Sequence, residues 1–484
     1  LCLVLITDLF RNLADVTRDK RWWGYGGLLL FIIFVVFLFS LPVWGQAFLF
    51  KLTPVVAGYA GIGLLIIVLF SGMPVGVVMG VVGFMGIAYI ASINPALSNL
   101  GTTPYSTAAS YSMSVVPLFI LMGAFTFYTG MTKELFYVAN AWLGRLPGGL
   151  ALATISASAA FAAVSGSSVA GTATMAMVAL PEMRRYKYDD ALSTGAIAAG
   201  GGLSIMIPPS TVLIIYGILT EVSIGKLLLA GFIPGIILSA LYMVSILILC
   251  IRNPLFGPRG EKLTFVNKIL SFKGTWSVLL LFLIVMGGLY IGIFTPTEAA
   301  GIGAFGALVI GLIRRKLKWK GFVDSLQETM ETTAMVFVIL IGANIFGYLL
   351  ALSRVPNELS ALILNLAVSP NIIMLIIILI YLFLGCIVSA LAMIVLTIPI
   401  FFPVAVALGF DPIWFGIIIV LVTEMGQLTP PVGINVYIIH GVAKDVPMYT
   451  IFKGVVPFLL SQFVLVALLM IWPKIATVLP DMMK

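Results

Sequence analysis

Two short segments, Ile207-Pro208-Pro209-Ser210 and Thr429-Pro430-Pro431-Val432-Gly433-Ile434-Asn435, carry paired prolines inside long apolar runs. A proline lacks the amide proton and clashes with the preceding turn, so each pair breaks a helix. Inside a bilayer the freed main-chain groups persist only where protein or a wet cavity surrounds them. Helix C-terminal carbonyls attract cations and N-terminal amides attract anions. With Ser and Thr hydroxyls beside them, such carbonyls can ring sodium without any charged side chain. The chemistry that these residues suit is reversible ion binding, not bond making.

Two polar interruptions accompany the prolines: Ser165-Gly166-Ser167-Ser168 within the apolar stretch 150-182, and Gly385 to Ser389 within 372-405. One crossing takes about 20 residues. Both stretches exceed that, so each is expected to be a re-entrant hairpin with its polar run at the tip. The first tip should face Ser204 to Ser210, and Ser389 should face Thr423 to Asn435. A cargo bearing a carboxylate would lie between the clusters. Tight packing through small residues is the alternative for Ser165 to Ser168.

Asn435 and Thr429 are buried polar groups that need partners. Glu424, inside a span beside the second break, suits a cation, a proton or a helix end. Glu182, Asp189 and Asp190 beside Arg184 and Arg185 fit a solvated loop network. In Thr295-Pro296-Thr297-Glu298 an outer turn is expected, with Thr297 capping the next helix. His440, the single histidine, fits a structural place at a span's inner end.

The elements that must position these residues are membrane helices. The 484 residues are 61% hydrophobic and 9% charged, with mean hydropathy +1.19, whereas soluble domains carry about 25% charged residues. The three cysteines, Cys2, Cys250 and Cys386, have no metal or disulfide spacing. There is no Walker motif for ATP, and no His/Asp/Glu cluster able to hold a catalytic metal. Apolar runs give spans near 25-44, 55-71, 74-92, 114-130, 190-219, 227-251, 275-293, 297-313, 333-350, 412-439 and 448-472. With these spans and the two hairpins, 19 basic residues fall in inner loops and 5 in outer ones. That asymmetry is the positive-inside pattern, so the net charge of +8 reflects membrane orientation and not nucleic acid. Trp22, Trp23 and Trp472 suit interfacial anchors.

The two halves echo one another. Leu121-Met122-Gly123-Ala124 recurs as Leu340-Ile341-Gly342-Ala343, Glu134-Leu135 as Glu358-Leu359, and Gly231-Phe232-Ile233-Pro234 as Gly454-Val455-Val456-Pro457. Each half holds five crossings and a hairpin. An odd number turns the second copy upside down, giving an inverted-topology repeat.

Val164-Ser165-Gly166-Ser167-Ser168-Val169-Ala170, Ile207-Pro208-Pro209-Ser210, Phe294-Thr295-Pro296-Thr297-Glu298-Ala299-Ala300-Gly301 and Leu428-Thr429-Pro430-Pro431-Val432-Gly433 together resemble the large membrane subunit of tripartite ATP-independent periplasmic (TRAP) transporters. The resemblance covers roughly residues 53 to 475. It implies an all-α, elevator-type integral membrane protein of the bacterial inner membrane, importing an organic acid such as a C4-dicarboxylate or sialic acid with sodium. A periplasmic substrate-binding protein and a small membrane subunit are the implied partners.

Carried over residue by residue, the resemblance places sodium at Ser165, Gly166, Ser168, Ile207 and Pro208, and at Ser389, Thr423, Thr429 and Gly433. Cargo would meet Ser167, Ser168, Ser210, Ser389 and Asn435. Many relatives have an acidic residue where this chain has Ser389, which bears on stoichiometry. The expected layout is 1-16 as the end of a small-subunit-like helix, 17-52 as a linking span, 53-251 as the first repeat, 252-274 as a cytoplasmic connection, 275-475 as the second repeat and 476-484 as a tail. The rival expectation is a proton-coupled carrier of organic anions working without a binding protein, with Glu424 and His440 titrating.

Overall fold

In a computed structural model the chain is described at residues 52–69, 73–260, 264–365 and 368–483. The expected span 25-44, the 1-16 segment and the Trp22-Trp23 pair lie outside these residues. Where water is absent, a chain must satisfy its main-chain groups locally, which this sequence does with helices. Eight stretches among the described residues are long and apolar enough to cross a bilayer.

Two compact units result. One holds the described residues up to Ala109 together with Phe337–Ile363; the other holds Ser110–Val336 and the described residues from Leu364 onward. The first contains α1 (Pro54–Leu69), α2 (Val75–Ile90) and α3 (Ile93–Ala108). In it Asn344 Nδ2 donates to Thr107 Oγ1 at 2.9 Å.

The second unit carries the candidate site. It begins with α4 (Val115–Tyr128) and α5 (Met131–Leu143), then a helical hairpin of α6 (Gly149–Ser165) and α7 (Ser168–Arg185). A helix broken into α8 (Asp190–Met206) and α9 (Thr211–Thr220) follows, and then the long α10 (Ile224–Arg252). Next come α11 (Phe265–Ile291), α12 (Pro296–Ile313) and α13 (Trp319–Ser353, entering the first unit at Phe337), then α14 (Val355–Asn365), which belongs to the first unit up to Ile363. The order then recurs: a hairpin of α15 (Pro370–Gly385) and α16 (Ala390–Ala407), a broken helix of α17 (Pro412–Leu428) and α18 (Ile434–Val442), and the long α19 (Met448–Ile471). A short α20 (Lys474–Met482) ends the series.

Both hairpins and both breaks stand where the sequence places them. The cap of α12 does not: Thr295, not Thr297, is its N-cap, because Pro296 takes the first helical position, where its missing amide costs nothing. Thr295 and Glu298 form a reciprocal capping box, with Glu298 Oε2 accepting from the Thr295 amide at 2.8 Å.

Two helices make the centre of the second unit. Every residue of α8 from Leu192 to Met206 is buried, as is every residue of α17 from Trp414 to Leu428. Helices hydrophobic all round belong in a core. Yet α8 is rich in Gly, Ala, Ser and Thr, small enough for α6, α7 and α19 to approach its main chain closely.

Candidate functional site

At the first tip α6 ends at Ser165 and Gly166 takes the left-handed conformation, φ +64°. That conformation suits glycine, and here space demands it too, since an added Cβ would stand 2.6 Å from the Pro209 carbonyl oxygen. Ser167 caps α7 by accepting from the Ala170 amide at 3.4 Å. The break Ile207–Ser210 lies directly against this tip. Thr211 Oγ1 donates to the Gly166 carbonyl at 2.9 Å, Ser165 Oγ donates to Ser204 Oγ at 3.4 Å, and Ser210 caps α9 through the Leu213 amide at 3.3 Å. The Pro208-Pro209 bond is cis. Ser165, Gly166, Ser168, Ile207, Pro208 and Ser210 are therefore brought together and buried, with Ser167 half-buried among them.

At the second tip the contacts are fewer. Gly385 packs against Gly426, whose Cα would lie 2.9 Å from an added Cβ, and the Gly433 amide donates to the Cys386 carbonyl at 3.4 Å. Ser389 is the N-cap of α16 by position, but its side chain caps nothing and is exposed. The break Thr429–Gly433 contains the second cis bond, Pro430-Pro431, and Gly433 is left-handed at φ +63°. Thr423 and Thr429 hydroxyls donate back to the Ile419 and Met425 carbonyls, each at 2.7 Å, leaving their oxygen lone pairs free. Asn435, in the first turn of α18, bridges the break by donating from Nδ2 to Glu424 Oε1 at 3.0 Å.

Glu424 is the unusual group. It is 1% exposed, and among the described residues neither its Oε2 nor the Asn435 Oδ1 has a partner. No Lys or Arg occurs anywhere between Val355 and Ala443. An ionised carboxylate buried without a counter-charge is strongly disfavoured, so Glu424 calls for either a proton or a cation.

Sequence reasoning singled out Glu424 but not the other polar groups that rest on the main chain of α8. Side chains that would collide with a methyl on Gly200, Gly201 and Gly202 of α8 are Ser158, Thr172 and Glu424 in turn. All three carry a buried oxygen without a hydrogen-bond partner among the described residues. The Gly-Gly-Gly run was the available signal, marking a place where three helices lay polar groups on bare main chain. Gln427 was also missed: its Oε1 accepts from Ser168 Oγ at 3.2 Å, joining the first tip to the second broken helix.

Outside the apolar interior the expected loop network is present and larger than foreseen. Arg184 lies 4.0 Å from Asp190 and Arg185 3.8 Å from Glu182, while Asp189 caps α8 through the Leu192 amide. Arg184 Nη2 also donates to Asp445 Oδ2 at 2.7 Å, tying the exit of the first hairpin to the loop after α18. That hydrogen bond holds the Asp445 carboxyl below its usual range. Burial pushes the Tyr188 phenol up to about 12; its hydroxyl donates to the Pro258 carbonyl and accepts from the Leu150 amide at the hairpin base. His440 Nδ1 lies 3.1 Å from the Val446 carbonyl oxygen, a structural contact. Glu134 pairs with Arg314 at 2.8 Å and with Lys316, fastening α5 to the end of α12.

Hairpins set against interrupted helices, in a chain this apolar, define a multi-pass membrane permease. Residues 62–475 match the family described as "Tripartite ATP-independent periplasmic transporter, DctM component". The chain belongs to that family, whose members are inner-membrane transport proteins and not enzymes. It is 33% identical to the sialic acid TRAP transporter large permease protein SiaM of Vibrio cholerae, over 86% of this chain and 96% of that one. Identity is also 33% to the C4-dicarboxylate TRAP transporter large permease protein DctM of Pseudomonas aeruginosa, over 82% and 93% of the two chains. The sialic acid TRAP transporter permease protein SiaT of Haemophilus influenzae aligns at 31% identity over 99% of this chain and 79% of its own length. The crystal structure of the Alcanivorax borkumensis YdaH transporter superposes with a TM-score of 0.51 at 16% identity, covering 78% of this chain and 89% of that one, which shows a shared fold.

Proposed function

We propose that this chain is the large permease of a sodium-driven symporter for an organic acid. The observation that carries the reading is Glu424: a fully buried carboxylate with a free oxygen, beside a broken helix and remote in sequence from any basic side chain. Sodium entering there gains a full negative charge and the oxygens of Asn435, Thr423 and Thr429. A second ion would use Ser165, Gly166, Ser168, Ile207 and Pro208. Ser389 and Gly433 would close the site at Glu424 from the hairpin side.

The acid would lie between these ions, near Ser167, Ser168, Ser210, Ser389 and Asn435. The relatives named for sialic acid and for C4-dicarboxylates make those two the first candidates. A periplasmic binding protein would deliver the cargo and a small membrane subunit would brace the permease. The alignment with SiaT, which takes in nearly all of this chain, supports a fused small-subunit segment at residues 1-16 with a link at 17-52. The recurring order of hairpin, broken helix and long helix supports an inverted repeat that carries the site across the membrane as an elevator.

Proteoliposomes supplied with the cognate binding protein and either acid test this reading. Uptake should require an inward sodium gradient and vary little between pH 6 and 8 in the absence of a proton gradient (about the range in which proton-coupled groups near neutrality titrate). Glu424→Gln should remove most of the sodium activation. Uptake indifferent to sodium and driven by a pH gradient would establish the proton-coupled carrier instead.

A further inference from the structure

We infer that Gln427 and the first turn of α7 form a subsite for one carboxylate of the cargo. This rests on the organic-acid reading above and adds the groups that recognise the acid. The Gln427 side chain is 2% exposed. Its Oε1 accepts from Ser168 Oγ, which fixes the plane of the carboxamide, yet its Nε2 has no acceptor among the described residues. A carboxamide nitrogen has two hydrogens to donate, and burial without an acceptor is costly enough that such groups point to a ligand or an ion.

The Ser168 contact sets that nitrogen at the start of α7, an 18-residue helix. There Ser167 already takes the Ala170 amide with its hydroxyl and the Gly171 amide with its carbonyl at 3.0 Å. The amides of Ser168 and Val169 have no acceptor within their own helix. Side-chain N–H from α17 and main-chain N–H from α7 thus converge from two elements on one place. Its rim is open: Val169 is 50% exposed and Pro430 is exposed.

The chemistry follows from what the surroundings lack. No Lys or Arg occurs between Leu146 and Met183, between Tyr188 and Gly225, or between Val355 and Ala443. An anion at these tips and breaks must be held by neutral donors, assisted by the helix dipole and by any bound cation. A carboxylate, planar and with two acceptor oxygens, fits donors arriving from two directions. Gln427 also follows Glu424 by three residues on α17, one turn away on the same face. An anion on Gln427 would therefore neighbour the cation on Glu424, each lowering the electrostatic cost of the other.

The test uses the full chain in nanodiscs with sodium, and reads the melting temperature against N-acetylneuraminate, succinate and malate. Wild type should be stabilised by at least one of the three. Gln427→Glu keeps an oxygen for the Ser168 hydroxyl but turns the donor into an acceptor, and should lose the acid-induced shift while retaining the sodium-induced one. Gln427→Leu removes both groups, and its affinity for the acid should fall about tenfold, or roughly 1.4 kcal/mol. An acid shift that survives in Gln427→Glu, or unchanged affinity in Gln427→Leu, overturns the inference alone. Wild type unmoved by all three acids overturns it together with the organic-acid reading. Should Gln427→Glu fail to fold, the affinity of Gln427→Leu decides.

Discussion

The two hairpin tips share a design and differ in how firmly they are tied. At the first, the Gly166 carbonyl receives the Thr211 hydroxyl, Ser167 caps its own helix, and Ser210 caps the next. At the second, one long amide-to-carbonyl bond joins Gly433 to Cys386, and neither Ser389 nor Gly433 has a side-chain cap. The first tip is buried, whereas Ile387, Ser389, Pro430 and Pro431 are exposed. Two copies of one motif have thus settled at opposite ends of a scale: the first is fastened by side chains and the second rests on glycine packing. Loosely held elements are where binding motions are drawn from, which makes the second tip the natural moving part.

Breaking the first tip should cost most. Gly166→Ala forces a left-handed alanine against the Pro209 carbonyl and should destabilise the protein by about 3 kcal/mol. Gly433→Ala shares the positive φ but its nearest neighbour is the Phe452 ring edge at 3.2 Å, so about 1–2 kcal/mol is expected. Equal losses in thermal denaturation would erase the contrast. Next in size, Thr211→Val should cost about 1 kcal/mol through its lost hydrogen bond, while Ser389→Ala should stay within about 0.5 kcal/mol. Amide exchange sharpens the same comparison: the helical amides of 383–385, at the end of α15, should exchange at least about tenfold faster than those of 163–165, at the end of α6. Slower exchange at the second tip would assign the motion to the first.

The smallest effect concerns Arg184 and Asp445. The folded carboxyl of Asp445 lies below its ordinary value, so its contribution is present above the ordinary carboxylate range and is lost as pH falls through the lowered value. Both side chains face solvent, so Asp445→Asn should remove only a slight acid sensitivity of melting, one that added salt also removes.

Much of this arrangement was legible from the residues. Paired prolines and polar interruptions disobey the single-span length rule, and length is the property a bilayer enforces most strictly; both hairpins and both breaks followed. Elements that obey no membrane rule were harder. Helix α3, with Asn94, Ser98, Asn99, Thr102 and Thr103, is too polar for a hydropathy window, and α5 is short and amphipathic. The first turns of α13 carry Asp324, Glu328 and Glu331, which hid a helix beginning well before the expected 333. Within the site, the partners of Asn435 and Ser168 were not legible either. Helical spacing does place Glu424 and Gln427 on one face of α17. Which neighbour each would meet depends on how α7, α8 and α18 come together.

The glycine run of α8 has a mechanical consequence. Oxygens of Ser158, Thr172 and Glu424 rest on main chain, with no intervening side chain able to swing aside. Contacts this rigid fix how closely α6, α7 and α17 can approach the main chain of α8. One methyl at Gly202 would occupy the space held by the Glu424 carboxylate. The least decorated stretch of the polypeptide thereby sets the spacing of the helices around it.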